Sequence, residues 1–127
     1  MVNIVCEVWD GAKSSIFEKE NPSLEECLDA IKKMDGITRT LTAVNREGFS
    51  LMVGGGGGMY IITCETGNLI KNLVDYSGAG DLVDLTVGGQ ACTYPGNYVV
   101  NFDLARKAIS NEFFDGNDQL TWEVLDK

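Results

Sequence analysis

The sequence contains no histidine, and this absence removes more functions than any other feature of its composition. Without histidine there is no Ser-His or Cys-His nucleophile system, no imidazole metal ligand and no imidazole general base. Carboxylate, lysine and tyrosine chemistry stays open. No cofactor-binding or metal-binding motif is present either, so we expect a protein that is not an enzyme, with no catalytic residue, cofactor or metal.

Closely spaced cysteines are also missing. The four cysteines, Cys6, Cys27, Cys64 and Cys92, lie far apart, with no CxxC pair among them. Such spacing is unlike the dense disulfide framework of small secreted domains and unlike a four-thiolate zinc site. Each cysteine sits in an apolar pattern, which predicts four buried, reduced thiols in a cytoplasmic protein.

Long apolar runs are absent as well, and none approaches the roughly 18–20 residues that span a bilayer. The N-terminal segment MVNIVCEVWD carries Glu7 and Asp10 where a signal peptide would be basic and then continuously apolar. We therefore predict a cytoplasmic protein without membrane contact. Its 127 residues are enough for one domain, spanning residues 1–127, with a core of its own.

Basic residues are scarce: ten lysines and arginines face 19 aspartates and glutamates, which gives a net charge of −9. A field of this sign repels nucleic acid and anionic membranes and attracts basic partners from a distance. The same charge also favours solubility, so composition leaves both roles open.

The first third of the chain shows a strand and a helix. Residues 2–9 alternate between apolar and other side chains, as a strand does, and a loop then leads to a short segment near Ile16 and Phe17. Ser23 and Glu26 have the spacing of a capping box. They predict a helix over residues 24–34, which Asp35 and Gly36 would end.

The remainder alternates strand patterns with turn signals and contains one more helix. Asn101 or Asp103 would cap that helix, and Asp115-Gly116 would end it. Strands are predicted over residues 38–44, 49–53, 60–64, 69–74, 82–87, 98–100 and 120–124, the last with Trp122 in the core, while residues 91–94 form either a short strand or part of a longer loop. This pattern predicts an α+β fold: a largely antiparallel β-sheet of about six to seven strands with two α-helices packed on one face. The other face, or the loops at its end, would be available to a partner.

Five consecutive glycines occupy positions 54–58. A phosphate-binding loop would need a following lysine and serine or threonine, and then a helix. Here Met59-Tyr60-Ile61-Ile62 continues as a strand, which argues against phosphate binding. A wide turn or bulge is one interpretation, and a site where a partner approaches the bare backbone is another.

Several exposed-looking residues are candidates for contact with a partner. The acidic segment 75–84 comes first, with Asp75, Tyr76, Asp81 and Asp84, because loops on a rigid scaffold often carry binding residues. Its spacing lacks the ligand pattern of a calcium loop, although a metal-dependent hydrolase built on the three aspartates stays an alternative.

Further candidates lie outside that segment: Glu65, the glycine turn, and Trp9 with Asp10 at the end of the first strand. For every candidate the competing interpretation is an ordinary loop residue or a core aromatic.

Six segments of the second half form an ordered set. They are GGGGGMYIITC (54–64), VGGQ (87–90), YPGNYVV (94–100), DLARKA (103–108), FFDG (113–116) and LTW (120–122). In order and spacing this set resembles the type-one Imm family, immunity proteins that bacteria encode beside polymorphic toxins. The resemblance covers roughly residues 38–125, and it brings no catalytic motif with it.

The resemblance implies that the protein neutralises a cognate toxin domain by tight one-to-one binding in the cytoplasm. Relatives of this kind accompany nucleic-acid deaminases and other toxins that act on nucleic acid, whose substrate clefts tend to be basic. An acidic inhibitor could occlude such a cleft. The free protein would be a monomer or a weak homodimer, and an acidic homo-oligomeric adaptor module is the alternative function.

Overall fold

The structure, a computed structural model, describes residues 1–77 and 80–126. Within these ranges it contains one seven-stranded sheet, a separate two-stranded hairpin and two α-helices. The elements in chain order are β1 (Asn3–Asp10), β2 (Lys13–Glu20), α1 (Leu24–Lys32), β3 (Leu41–Arg46), β4 (Phe49–Gly56), β5 (Met59–Glu65), β6 (Leu69–Val74), β7 (Leu82–Val87), β8 (Gln90–Pro95), α2 (Phe102–Phe113) and β9 (Thr121–Asp126).

The strands of the large sheet lie in the order β2-β1-β3-β4-β5-β6-β9, and each neighbouring pair is antiparallel. Helix α1 packs over β3 and β4, helix α2 packs over β5, and the two helices contact each other. These contacts confirm the predicted α+β fold, with a largely antiparallel sheet and two helices on one face.

The core lies between this face and the helices. Leu51 and Val53 of β4 are fully buried there, together with Ile31 of α1 and Ile109 of α2. Burial of such side chains is the main favourable term in folding, at about 1.5–3 kcal/mol for each one. The four therefore tie the central strand to both helices.

Three of the four cysteines are partly or fully buried, as predicted, and one is not. Burial raises the pKa of the Cys27 thiol to about 11 and that of Cys64 to about 12. Cys6 is half-buried. The prediction was wrong for Cys92, which is exposed because β8 pairs with β7 alone and lies outside the large sheet.

Both helices begin at the side chains that the sequence indicated. Ser23 Oγ accepts the backbone N–H of Glu26, and the Glu26 carboxylate accepts the backbone N–H of Ser23, so the capping box is present. For α2 the structure decides between the two predicted caps, because Asn101 accepts the backbone N–H of Leu104. Asp103 lies in the first turn, where hydrogen bonds from Arg106 and then Lys107 lower the pKa of its carboxyl group.

The prediction missed one strand. Residues 13–20, expected to be a loop and a short segment, form the eight-residue strand β2 at one edge of the sheet. All eight residues are exposed. An edge strand that is covered on neither face needs no alternation of apolar and polar side chains, so the periodic signal used for the other strands is absent here.

Two other predicted strands are shorter or missing. The backbone N–H groups of Thr38 and Arg39 donate to Asp35 Oδ1 at 2.8 and 2.9 Å, which holds them in a turn, and β3 begins only at Leu41. Residues 96–98 form a 3₁₀ turn, and Val100 alone pairs with Tyr60. The predicted strand over residues 98–100 was therefore wrong.

Trp122 is half-buried rather than enclosed in the core, because β9 is the second edge of the sheet. Its ring packs against the core cluster from that edge.

Candidate partner-binding surface

The large sheet has two unequal faces because side chains alternate along each strand. Thr42 and Val44 of β3 and Leu51 and Val53 of β4 point toward the helices and are buried. The residues between them point to the opposite side, which neither α1 nor α2 covers, and are half-buried. We call this second side of the sheet the open face.

A row of directly opposed residues crosses all seven strands of the open face. In strand order it consists of Glu18, Val5, Ala43, Met52, Thr63, Asn72 and Glu123. The row thus has an apolar centre and a glutamate at each end. This arrangement matches the general anatomy of protein interfaces, in which an apolar centre is surrounded by a polar rim.

The open face carries charge of one sign. Its carboxylates are those of Glu7, Glu18, Glu20, Glu65 and Glu123, as the register of the strands places them. Among the strand residues in the described ranges, no lysine or arginine shares this face. The four basic residues of the strands, Lys13, Lys19, Arg46 and Lys71, all lie on the helix side.

Contacts with the helices hold three of these cations on that side. Lys71 Nζ lies 2.8 Å from Glu112 Oε1 of α2 and 4.2 Å from the ring centroid of Trp122. The Arg46 guanidinium donates to the carbonyl oxygen of Glu112 and stacks over Phe49. Lys19 forms an ion pair with Glu26 of α1.

The β7–β8 hairpin covers one end of the open face, where β4 ends in glycines. Val87 packs over Gly54, and a Cβ at Gly54 would lie only 2.6 Å from Val87 Cγ1. Leu85 lies near Gly55, where its Cδ1 would be 3.4 Å from an added Cβ, an ordinary contact distance. The glycine run therefore includes three strand residues and a turn at Gly57-Gly58. Two parts of the chain approach its bare backbone: the hairpin at Gly54 and Gly55, and residues 34–36 at Gly56.

The hairpin and its flanking segments extend the acidic character of the open face. No lysine or arginine occurs anywhere between residues 72 and 100, whereas Asp75, Asp81 and Asp84 all lie there. With the five glutamates they make eight of the 19 acidic residues. The other eleven acidic residues and the ten basic residues together contribute −1. The open face and the hairpin region therefore account for −8 of the net charge of −9.

Four of the predicted contact residues lie along the hairpin. Trp9 meets its turn, since a Cβ on Gly89 would lie 2.4 Å from Trp9 Cζ2. Asp84 is exposed in the middle, on β7, where its Oδ1 accepts the Thr93 hydroxyl at 2.7 Å. Asp75 lies at the base, where its backbone N–H donates to the carbonyl of Asn97, and the adjacent Tyr76 is 64% exposed.

The other three predicted residues are more dispersed. Asp81 is exposed just before β7, and Asp10 is exposed at the end of β1. Glu65 lies on the open face, in the half of the sheet away from the hairpin. Gly78 and Ala79, within the predicted acidic segment 75–84, lie outside the described residues.

A tyrosine connects the end of the hairpin to the open face. The hydroxyl of Tyr98 forms a hydrogen bond with the carboxylate of Glu123, and this bond raises the pKa of Tyr98. Glu123 is half-exposed at the β9 edge of the open face.

The three aspartates proposed as an alternative metal site do not converge. The Asp75 carboxylate accepts both the backbone N–H and the hydroxyl of Ser77, while Asp84 bonds Thr93. In residues 1–77 and 80–126, no group of three or more cysteine, aspartate or glutamate side chains is placed to hold a metal ion. No helix in the same ranges is long and apolar enough to cross a membrane.

Sequence reasoning missed four of the five open-face glutamates: Glu7, Glu18, Glu20 and Glu123. Alternation within a strand could have placed Glu7 on the face opposite to Ile4 and Cys6. Whether glutamates of different strands share a face depends on the register between strands, which the spacing within each strand does not reveal.

Comparisons with protein-family models, with curated proteins and with solved structures found no match to this chain.

Proposed function

We propose that this protein is an immunity protein, which binds a cognate bacterial toxin domain in the cytoplasm of the producing cell and neutralises it. The observation that carries the proposal is the separation of charge: the open face holds five glutamates and no strand cation, while the strand cations lie on the helix side. The partner of such a face is a basic protein surface.

The open face suits the substrate groove of a toxin that acts on nucleic acid. Such a groove binds phosphates through lysine and arginine, and rows of carboxylates can occupy the same positions. The protein's field also speeds the approach of a basic partner. By the same physics the open face repels nucleic acid itself and anionic membranes.

Apolar and aromatic groups on the same surface would supply affinity beyond charge. Val5, Ala43 and Met52 form the apolar centre of the open face, and Tyr76 is largely exposed at the base of the hairpin. Interfaces draw most of their binding energy from a few such central residues, with charged rims steering association. The ordered segments that resemble the type-one Imm family support the same function. Most of them form the hairpin, β5 and α2.

The test is co-expression with the toxin domain encoded beside this gene, followed by binding measurements on the purified pair. A double variant, Glu65→Lys with Glu123→Lys, reverses two charges on the open face. Each reversal opposite a basic surface should cost about 1.4 kcal/mol or more, so we expect the association constant to fall by about 100-fold or more. Growth protection should fall with it.

The matched control is Glu25→Lys with Glu47→Lys, which changes the net charge equally but at exposed sites off the open face, in α1 and at the β3–β4 turn. It should weaken binding far less and chiefly at low salt. Equal loss in both double variants would reduce the effect to net charge and reject the open face as the interface. If the wild-type protein neither binds the toxin domain nor protects growth, the proposed function is lost.

A further inference from the structure

Strand β2 is an edge of the large sheet whose outer side is paired with no strand in residues 1–77 and 80–126. It pairs with β1 on one side only, and all eight of its residues are exposed. Two large apolar side chains stand side by side at its centre, Ile16 at 67% and Phe17 at 61% exposure. A long edge strand with apolar side chains is a template for pairing with another strand.

The helix layer stops short of this edge. A groove of about 440 Å³ lies between α1 and the strands β1 and β2, floored by Ile4 and Cys6 and bordered by Met34. Phe17 points to the helix side, because it is opposite Cys6 in the register of β1 and β2, and it lines the groove. An aromatic side chain added beyond β2 on this side would extend the apolar surface that Phe17 begins.

We propose that a second copy of this chain pairs with β2 through its own β2. The two strands would run antiparallel about a twofold axis normal to the sheet, with Phe17 opposite Phe17 of the second copy. The two large sheets would then form one continuous sheet. This dimer does not depend on the proposed immunity function, and it leaves the open face of each copy uncovered on the same side.

The direction in which the backbone groups of β2 point fits this arrangement. The backbone N–H of Asn21 donates to the carbonyl of Val2 at 2.8 Å, and bonded positions alternate along an antiparallel pair. The odd-numbered residues of β2 therefore direct their backbone groups toward β1. The even-numbered residues, Ser14, Ile16, Glu18 and Glu20, direct theirs outward, where they could form about eight hydrogen bonds with the second copy.

Face, charge and the length of the pairing select the register, since a register centred on Ser15 would pair only residues 13–17 of β2. A twofold axis normal to the sheet keeps each side chain on its own face, so only residues of the same parity can be opposed. With Ile16 opposite its own copy, Lys13 would face Lys19, and with Glu18 opposite its own copy, two carboxylates would meet. With Phe17 opposite Phe17, Ile16 faces Glu18, Ser14 faces Glu20 and Ser15 faces Lys19, so no like charges are directly opposed.

The occupant is a second copy because β2 is the edge at which two acidic chains repel least. Strand β2 contains two lysines and two glutamates, whereas β9, the other edge, contains Glu123 and Asp126 and no basic residue. Pairing of a single strand buries less area than a typical stable interface, so the dimer is a weak one.

Sedimentation velocity on the full chain, from about 1 μM to about 1 mM, covers the range of weak association. Two variants with equal charge change and similar exposure distinguish pairing in this register from non-specific apolar association. Phe17→Lys places two lysines opposite each other and should lower the association constant by about 100-fold or more. Ile16→Lys places each lysine opposite Glu18 of the other copy and should leave the dimer intact or tighten it.

A wild-type chain that stays monomeric at the highest concentration would overturn the proposal, and so would a dimer that Phe17→Lys leaves unchanged. Equal weakening by both variants would indicate apolar association without this register and would also reject it. Circular dichroism of each variant at low concentration shows that the monomer is folded. None of these outcomes bears on toxin binding, which is measured with Glu65 and Glu123, away from β2.

Discussion

The helix side and the open face of one sheet use the same strands for opposite purposes. On the helix side, Lys71 and Arg46 reach carboxylate, carbonyl and aromatic groups of α2 and its surroundings, and apolar side chains fill the space between. On the open face, glutamates at both ends of a row flank half-buried apolar residues. Three of the four strand cations make contacts with helices on the helix side, so the acidic excess of the strands appears on the open face.

Net charge alone is therefore a poor guide to where a partner binds. A charge of −9 could be spread evenly, and then it would act mainly on solubility. Here the register of seven strands collects it on one face and one hairpin. We expect the two sides to respond differently to substitution: stability should depend on the helix side, and binding on the open face.

Adjacent residues of β4 give the sharpest test of this contrast. Leu51 is fully buried on the helix side, and Met52 is half-buried on the open face. Leu51→Ala should lower the free energy of unfolding by about 2–5 kcal/mol, because it opens a cavity in the core. Met52→Ala should cost about 1 kcal/mol or less, since water already reaches that side.

Urea unfolding monitored by circular dichroism measures both variants. Similar losses of stability at the two positions would mean that the open face is buried in solution, and the comparison between the two sides would then fail.

A second test concerns the end of the open face that the hairpin covers. Gly54→Ala should lower the free energy of unfolding by about 1–3 kcal/mol, because its Cβ would lie 2.6 Å from Val87 Cγ1 and the hairpin must shift. The control is Gly67→Ala, where nothing lies within 4 Å of the added Cβ and little change is expected. Equal losses of stability in the two variants would show that Val87 can move without cost and that the hairpin packs only loosely against β4.

The parts of the fold that the sequence predicted well are those with local causes. The capping box of Ser23 and Glu26 and the cap at Asn101 act within a few residues, so both helices were correctly placed. β2 lacked a signal because all eight of its residues are exposed, so neither face selects apolar side chains at alternate positions. The turn held by Asp35 shortened β3 through hydrogen bonds that propensity does not encode.

The candidate surface was predictable only in part, for a physical reason. Trp9 and Asp84 stand out in the sequence as an aromatic and a charge beside turns. The grouping of Glu7, Glu65 and Glu123 on one face requires the register between distant strands, which the sequence of a single strand does not specify. Likewise, the hairpin at Gly54 and residues 34–36 at Gly56 approach the backbone of the glycine run, and the local sequence encodes neither contact.

A titration of Tyr98 tests whether the end of the hairpin rests on the open face through Tyr98 and Glu123. The expected effect on stability is small. Hydrogen bonding to the Glu123 carboxylate raises the pKa of Tyr98. Glu123→Gln removes the negative charge, so the pKa of Tyr98 should fall toward its usual value near 10. A tyrosine whose pKa is higher in the folded state contributes stability below its unfolded pKa, and that contribution is lost as pH rises through the folded value.

In the wild-type protein a small part of the stability should therefore disappear on the alkaline side of pH 10, and in Glu123→Gln this part should be smaller. Carbon-13 NMR of the tyrosine Cζ atoms resolves the four tyrosines and follows Tyr98 directly. Glu65→Gln, also on the open face but away from Tyr98, is the control and should leave that titration in place. An unchanged Tyr98 titration in Glu123→Gln would mean that Tyr98 does not contact Glu123 of β9 in solution. The hairpin would then contact the large sheet less closely near Tyr98 than near Trp9.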